Sequence, residues 1–75
     1  MDYRIYIESN ADIMLGKPVI KGTRITVALI LQKLSEGATT EQIAAVYPSL
    51  NPEAILAVLA YASDMVSNET IIAVA

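Results

Sequence analysis

The residues best suited to bind another molecule lie in one short stretch, from Gly16 to Ile25. It reads Gly-Lys-Pro-Val-Ile-Lys-Gly-Thr-Arg-Ile and holds three of the chain's five basic residues. Glycine adopts backbone conformations closed to other residues, and proline fixes its own φ, so the stretch predicts a tight hairpin or a hooked loop. Cationic side chains on such a loop can approach phosphates closely. The predicted nucleic-acid contacts are Lys17, Lys21, Thr23 and Arg24.

A purely structural interpretation of this loop stays open beside the functional one. Arg24 could pair with a carboxylate such as Asp12, while the two lysines are solvated. Turn geometry alone accounts for Thr23 and the glycines.

Catalysis has no candidate residues in this chain. It contains no cysteine and no histidine, which removes thiol nucleophiles, disulfides, zinc-finger sites and the usual general base. The eight acidic residues are scattered singly, without paired acids or metal-ligand spacing. We therefore expect a protein that is not an enzyme, with no catalytic residue, metal ion or cofactor.

Composition limits the chain to one small domain. It has 75 residues, of which 55% are hydrophobic, and this is more apolar surface than one small core can hide, so self-association is expected. The net charge of −3 argues against sequence-blind coating of nucleic acid, but it allows contact through a local patch. The chain shows neither a basic, apolar leader nor a run of about 20 apolar residues, so we expect it in the cytoplasm and not in a membrane.

The predicted order of elements is strand, hooked loop, three helices and tail strand. Residues 1–25 hold a strand with alternating polarity over Tyr3–Ile7, followed by the hooked loop. Residues 26–67 form the helical part, and residues 68–75 read as a β-prone tail strand. Three helices with short connections match a helix-turn-helix arrangement.

Capping residues mark where the first two helices begin and end. The first opens at Ile25 or Thr26, and Gly37 is suited to stop it. The second opens at Thr39, where Gln42 completes a capping box, and Pro48 ends it.

The third helix has the clearest signals and the least polarity. Asn51 is its predicted N-cap and Pro52 its first residue, and no charged residue occurs from 54 to 62. The stripe predicted to face the core is Ile55, Leu59, Ala62 and Val66. A helix that is apolar nearly all round has a second face to bury, so we expect it to lie between the core and a partner.

Two functional expectations follow for this helix and its surroundings. Its predicted exposed positions are Asn51, Glu53, Ala54, Ala57 and Tyr61. None of them is cationic, which disfavours conventional reading of DNA bases by this helix. The predicted oligomer or partner interface comprises Tyr3, Ile5, Leu56, Ala57, Tyr61, Ile71, Ile72 and Val74.

The residues together resemble a known family. The matching pieces are Gly16 through Ile25, then Ile30-Leu31 with Leu34 and Gly37, then Glu41-Gln42-Ile43, Tyr47-Pro48-Ser49-Leu50, and Ile55 through Ala62. They are similar to the domain of unknown function 433 family of small bacterial and archaeal proteins. Two positions depart from its pattern, because Leu15 stands where a second glycine is common and Thr26 where proline is common.

This resemblance implies a fold and a role. The implied fold class is mainly α, a three-helix homeodomain-like or helix-turn-helix core with short N-terminal and C-terminal β-strands. The implied role is that of an antitoxin in a type II toxin–antitoxin system, which binds and neutralises a PIN-like ribonuclease toxin and represses its own operon. The expected partners are thus a nuclease-like toxin, operator DNA and further copies of the chain.

Two other functions stay open at this point. One is an autonomous DNA-binding regulator that uses the Gly16–Ile25 loop. The other is an oligomerising interaction module without nucleic-acid contact, which the acidic balance and the third helix favour.

Overall fold

The computed structural model describes residues 1–68 of the chain. In that range, two 3-10 turns and a two-stranded antiparallel sheet precede three α-helices, so the mainly helical class is confirmed. The elements are a first 3-10 turn at Tyr3–Ile5, β1 at Ile7–Glu8, a second 3-10 turn at Met14–Gly16, β2 at Val19–Ile20, α1 at Val27–Ser35, α2 at Thr40–Val46 and α3 at Pro52–Ser67. The predicted tail strand, with Ile71, Ile72 and Val74, lies outside the described residues.

The predicted N-terminal strand over Tyr3–Ile7 is wrong for most of its length. The carboxylate of Asp2 accepts a hydrogen bond from the backbone N–H of Arg4 at 3.0 Å and caps a 3-10 turn instead. A side chain that bonds to nearby backbone competes with strand pairing, and here it outweighs the alternating pattern. Only β1 remains extended, and it pairs with β2 in the register Ile7 to Ile20 and Glu8 to Val19.

The predicted hooked loop, from Gly16 to Ile25, is confirmed, and β2 lies within it. The backbone N–H of Thr23 donates to the carbonyl of Ile20 at 3.0 Å, and the N–H of Ile20 donates to the carbonyl of Ile25, also at 3.0 Å. Gly22 lies at the bend with φ +77°, a value that favours glycine. The chain therefore doubles back on β2 directly before α1 begins.

A left-handed turn precedes β2. Met14, Leu15 and Gly16 have φ of 48°, 59° and 82°, so three successive residues have positive φ. Such a conformation costs a residue with a Cβ roughly 1–2 kcal/mol, and only the last of the three is glycine. Leu15 is also 92% exposed, so no packing compensates for the strain at that position.

We expect Leu15→Gly to raise the free energy of unfolding by about 0.5–1 kcal/mol. The relief of left-handed strain exceeds the extra backbone entropy that glycine loses on folding. Urea denaturation followed by circular dichroism measures the change. Leu15→Ala keeps the Cβ, so as the control it should show no rise in the free energy of unfolding. A lower free energy of unfolding for Leu15→Gly would contradict the backbone strain inferred at position 15.

The predicted helix caps are confirmed. The hydroxyl of Thr26 accepts from the N–H of Leu29 at 3.1 Å at the start of α1, and the Asn51 side chain accepts from the N–H of Ala54 at 2.8 Å at the start of α3. Thr39 and Gln42 form the reciprocal capping box of α2. These local bonds fix three helix starts and thereby the short connections between the helices.

The hydrophobic core gathers one face of each helix against the small sheet. Its fully buried members include Ile30 of α1 and Ile55 and Val58 of α3, each 0% exposed. The rest of this core cluster is Ile7, Ile20, Val27, Ile43, Leu50, Ala54 and Ala57.

The buried face of α3 differs from the predicted stripe. Ile55 is buried as expected, but Leu59 is 42% and Val66 62% exposed, whereas Ala54 and Ala57 are buried. The prediction of Ala57 as an interface residue, and of Ala54 and Ala57 as exposed, is therefore wrong. Because α3 is apolar on nearly every side, the spacing of its apolar residues does not indicate which side faces the core. The buried side carries small alanines, which allow neighbouring elements to approach the helix.

Candidate functional site

The hooked loop presents its three basic side chains to solvent. Lys17, Lys21 and Arg24 are all exposed, while the backbone beneath them is fixed by hydrogen bonds. The N–H of Lys21, for example, donates to the carbonyl of Tyr6 at 2.8 Å. The loop thus holds three exposed cationic side chains on a backbone of fixed conformation.

The Thr23 side chain forms its hydrogen bonds within this loop. Its hydroxyl donates to the carbonyl of Ile20 at 2.8 Å and accepts from the N–H of Ile25 at 3.0 Å. Because the only hydroxyl proton is engaged, Thr23 sets the shape of the turn, and its contact with phosphate stays a prediction. Arg24 does not pair with Asp12, since the ion pair found within residues 1–68 joins Arg4 and Asp2 at 3.0 Å.

Charges are segregated along the chain. All five basic residues lie between positions 4 and 33, and every charged residue beyond 33 is acidic. Glu41 and Glu53 occupy the first turns of α2 and α3, where they also favour the helix dipoles. We call α2, α3 and their connection the acidic helical half; sequence reasoning missed it, although the order of charges alone contains the signal.

One side of α3 is mostly apolar and exposed to solvent. It is formed by Pro52, Leu56, Leu59, Ser63 and Val66, which we call the outer stripe. Leu56 is 50% exposed, as its predicted interface role requires. Ile5, another predicted interface residue, is 62% exposed on the first 3-10 turn.

Tyr3 and Tyr61, also predicted at the interface, contact each other within the chain. Their rings meet edge to face with centroids 5.3 Å apart. The Tyr3 hydroxyl donates a hydrogen bond to the carboxylate of Asp64, and this bond raises the pKa of Tyr3 above its usual value. Both rings are half-buried, so part of their surface serves to attach the N-terminus to α3.

A polar cleft of about 620 Å³ lies between the N-terminal residues and α3. Its lining residues are Met1, Asp2, Tyr3, Arg4, Ala60, Ser63, Asp64 and Ser67. Among residues 1–68, neither this cleft nor any other place gathers three acidic side chains that could hold a metal ion.

The family of the chain follows from a match to a family model. The model described as protein of unknown function (DUF433) matches residues 7–62, from β1 through most of α3. The chain belongs to the DUF433 family. No curated protein and no solved structure is significantly similar to this DUF433 protein. Within its described part, no helix is both long and apolar enough to cross a bilayer.

Proposed function

We propose that this DUF433 protein is an antitoxin-like protein that binds and neutralises a PIN-like ribonuclease toxin. It acts by binding and not by catalysis, in the cytoplasm. The observation that carries the proposal is the acidic helical half, whose charged side chains are Glu41, Glu53 and Asp64, with Glu36 just before it at the end of α1. The family resemblance supports it as well, since members are often encoded beside such a toxin.

Charge complementarity links the acidic helical half to a ribonuclease. A protein that binds RNA without regard to sequence offers cationic side chains to the phosphates. An acidic surface on an inhibitor is complementary to these cationic side chains of the ribonuclease. It steers the encounter of the two proteins and excludes RNA from the cationic surface. Glu41 and Glu53 are both exposed, so they are available for this contact.

The proposal requires a gene for a PIN-like ribonuclease beside the gene for this protein, and the test uses the product of that gene. We expect an equimolar amount of the protein to stop cleavage of a single-stranded RNA substrate. The double variant Glu41→Lys/Glu53→Lys should weaken inhibition by at least about tenfold, equivalent to roughly 1.4 kcal/mol of binding free energy.

Lys21→Ala is the matched control, because it alters charge outside the acidic helical half and should inhibit like the wild type. Circular dichroism verifies that each variant is folded. Unimpaired cleavage in the presence of excess wild-type protein would overturn the proposed function. Full inhibition by the double variant would remove the acidic helical half as the contact surface.

A second function is favoured by the exposed cations of the hooked loop. We propose that Lys17, Lys21 and Arg24 contact phosphates of operator DNA, by which the protein represses its own operon. The logarithm of the binding constant falls linearly with the logarithm of the salt concentration, and the loss of one phosphate contact makes this slope shallower by roughly one. Lys21→Ala and Arg24→Ala should each show this reduction in fluorescence anisotropy with the DNA upstream of the operon.

Lys33→Ala is the control for these variants, because it removes a cation that lies outside the loop, in the last turn of α1. An unchanged salt slope in both loop variants would remove the DNA contact. If the ribonuclease test failed as well, the protein would retain the role of an oligomerising interaction module without nucleic-acid contact.

A further inference from the structure

The turn before β2 carries an apolar side chain where such turns usually carry asparagine, aspartate or glycine. The N–H of Lys17 donates to the carbonyl of Met14 at 3.1 Å, and φ is positive at both central residues, Leu15 and Gly16. This is the geometry of a type I′ turn. Leu15 is also 92% exposed, so the turn holds an apolar side chain in solvent on a strained backbone. Strain of this kind is concentrated at sites that bind other molecules.

The backbone on both sides of Leu15 is fixed by successive hydrogen-bonded turns. The N–H of Ile13 donates to the carbonyl of Asn10 at 2.9 Å, and the N–H of Gly16 donates to the carbonyl of Ile13 at 3.0 Å. A side chain on a backbone that is already ordered loses less entropy when it binds than one on a mobile loop. Leu15 is therefore a preorganised contact residue.

The charges next to Leu15 indicate which kind of partner it contacts. Lys17, the last residue of the same turn, is exposed, and the exposed Lys21 and Arg24 follow in the hooked loop. These cations favour a partner with phosphates and repel the cationic surface of a ribonuclease. A lone leucine does not anchor a protein to a membrane, since even a myristoyl chain binds only marginally. DNA offers phosphates to the cations and apolar base surfaces to the leucine.

Repression of one operon requires contacts that distinguish bases. Phosphate contacts position a protein on DNA but carry no sequence information, and asparagine and glutamine are common readers of base edges. In the described part of the chain, however, every amide side chain already makes a hydrogen bond within the protein. These side chains are Asn10, Gln32, Gln42, Asn51 and Asn68. An apolar contact from Leu15 would supply base discrimination that does not depend on them.

We propose that Leu15 contacts bases in a groove of the operator DNA, while the cations of the hooked loop contact the neighbouring phosphates. The inference rests on the second proposed function and deepens it, because it assigns the residue that makes binding depend on sequence. It also separates two properties of the interface. Leu15 determines the preference for the operator, and the cations determine how steeply binding falls with salt.

Fluorescence anisotropy tests this division on two duplexes, the DNA upstream of the operon and a scrambled sequence of the same length and composition. Leu15→Ala should lower the ratio of the two binding constants at least about fivefold, the low end of what one base pair contributes to specificity. The salt slope should stay unchanged, because no phosphate contact is lost.

Two further variants exclude a loss of preference through unfolding or through lost apolar surface in general. Leu15→Gly should lose the preference as well, although we expect it to be more stable than the wild type. Val46→Ala is the matched control, because it truncates a side chain that is 67% exposed on α2, outside the loop. It should keep both the preference and the salt slope.

The outcomes separate this inference from the function on which it rests. A wild type that binds neither duplex would overturn the second proposed function and the inference with it. A wild type that binds both duplexes equally, with the expected salt slope, would overturn the inference alone. So would a preference that persists in both Leu15 variants. Loss of ribonuclease inhibition in Leu15→Ala, with the operator preference intact, would place this side chain in a protein interface instead.

Discussion

Replacing Ile55 by alanine should lower the free energy of unfolding by about 2–5 kcal/mol. The side chain is 0% exposed at the centre of the core, so its removal forfeits transfer free energy and leaves a cavity. Small domains have total stabilities of only about 5–15 kcal/mol, and part of the variant should be unfolded at 37 °C. Urea denaturation followed by circular dichroism measures the loss.

Val46→Ala is the matched control for this core substitution. Val46 is 67% exposed on α2, and its truncation should change stability by no more than roughly 0.5 kcal/mol, as is usual on a surface. A cost below about 1 kcal/mol for Ile55→Ala would place this side chain outside a tightly packed core.

Enlarging Ala57 to leucine should destabilise the protein by about 1–3 kcal/mol. Ala57 is 0% exposed between the core elements, and added carbons in a packed core force neighbouring side chains or backbone to move. Thermal unfolding followed by circular dichroism measures the effect. Ala60→Leu is the control, because Ala60 borders the open cleft and has space for a larger side chain.

The Ala57 result also tests the orientation of α3. If Ala57→Leu were neutral and Ala60→Leu were costly, the helix would be rotated relative to the core, and the outer stripe would not be the face open to solvent.

Local chemistry made the helices predictable. Thr39 with Gln42, Asn51 with Pro52, and Gly37 act within a few residues of their own position, so their types and spacing determine the helix ends. The hooked loop was predictable for the same reason, because its glycines and proline act on their own backbone. The exposed cations of the candidate site followed from that loop.

Tertiary packing decided what the sequence could not indicate. The polarity pattern of residues 3–7 gave no sign that Tyr3 would contact Tyr61 and Asp64, some sixty residues away in sequence. In α3, Leu59 and Ala57 are both apolar, and only the neighbouring elements select which of them is buried. The acidic helical half was readable in the order of charges, but its position on α2 and α3 required the fold.

The contact between Tyr3 and the far end of α3 sets when the chain can complete its fold during synthesis. Tyr61 and Asp64 are among the last residues of α3 to be translated, and a ribosome adds roughly 5–20 residues per second. Tyr3 is therefore synthesised about sixty residues before its docking partners, and it cannot dock until Tyr61 and Asp64 have left the exit tunnel. A nascent chain stalled before residue 61 should leave its first residues accessible to proteases, whereas the released protein should protect them.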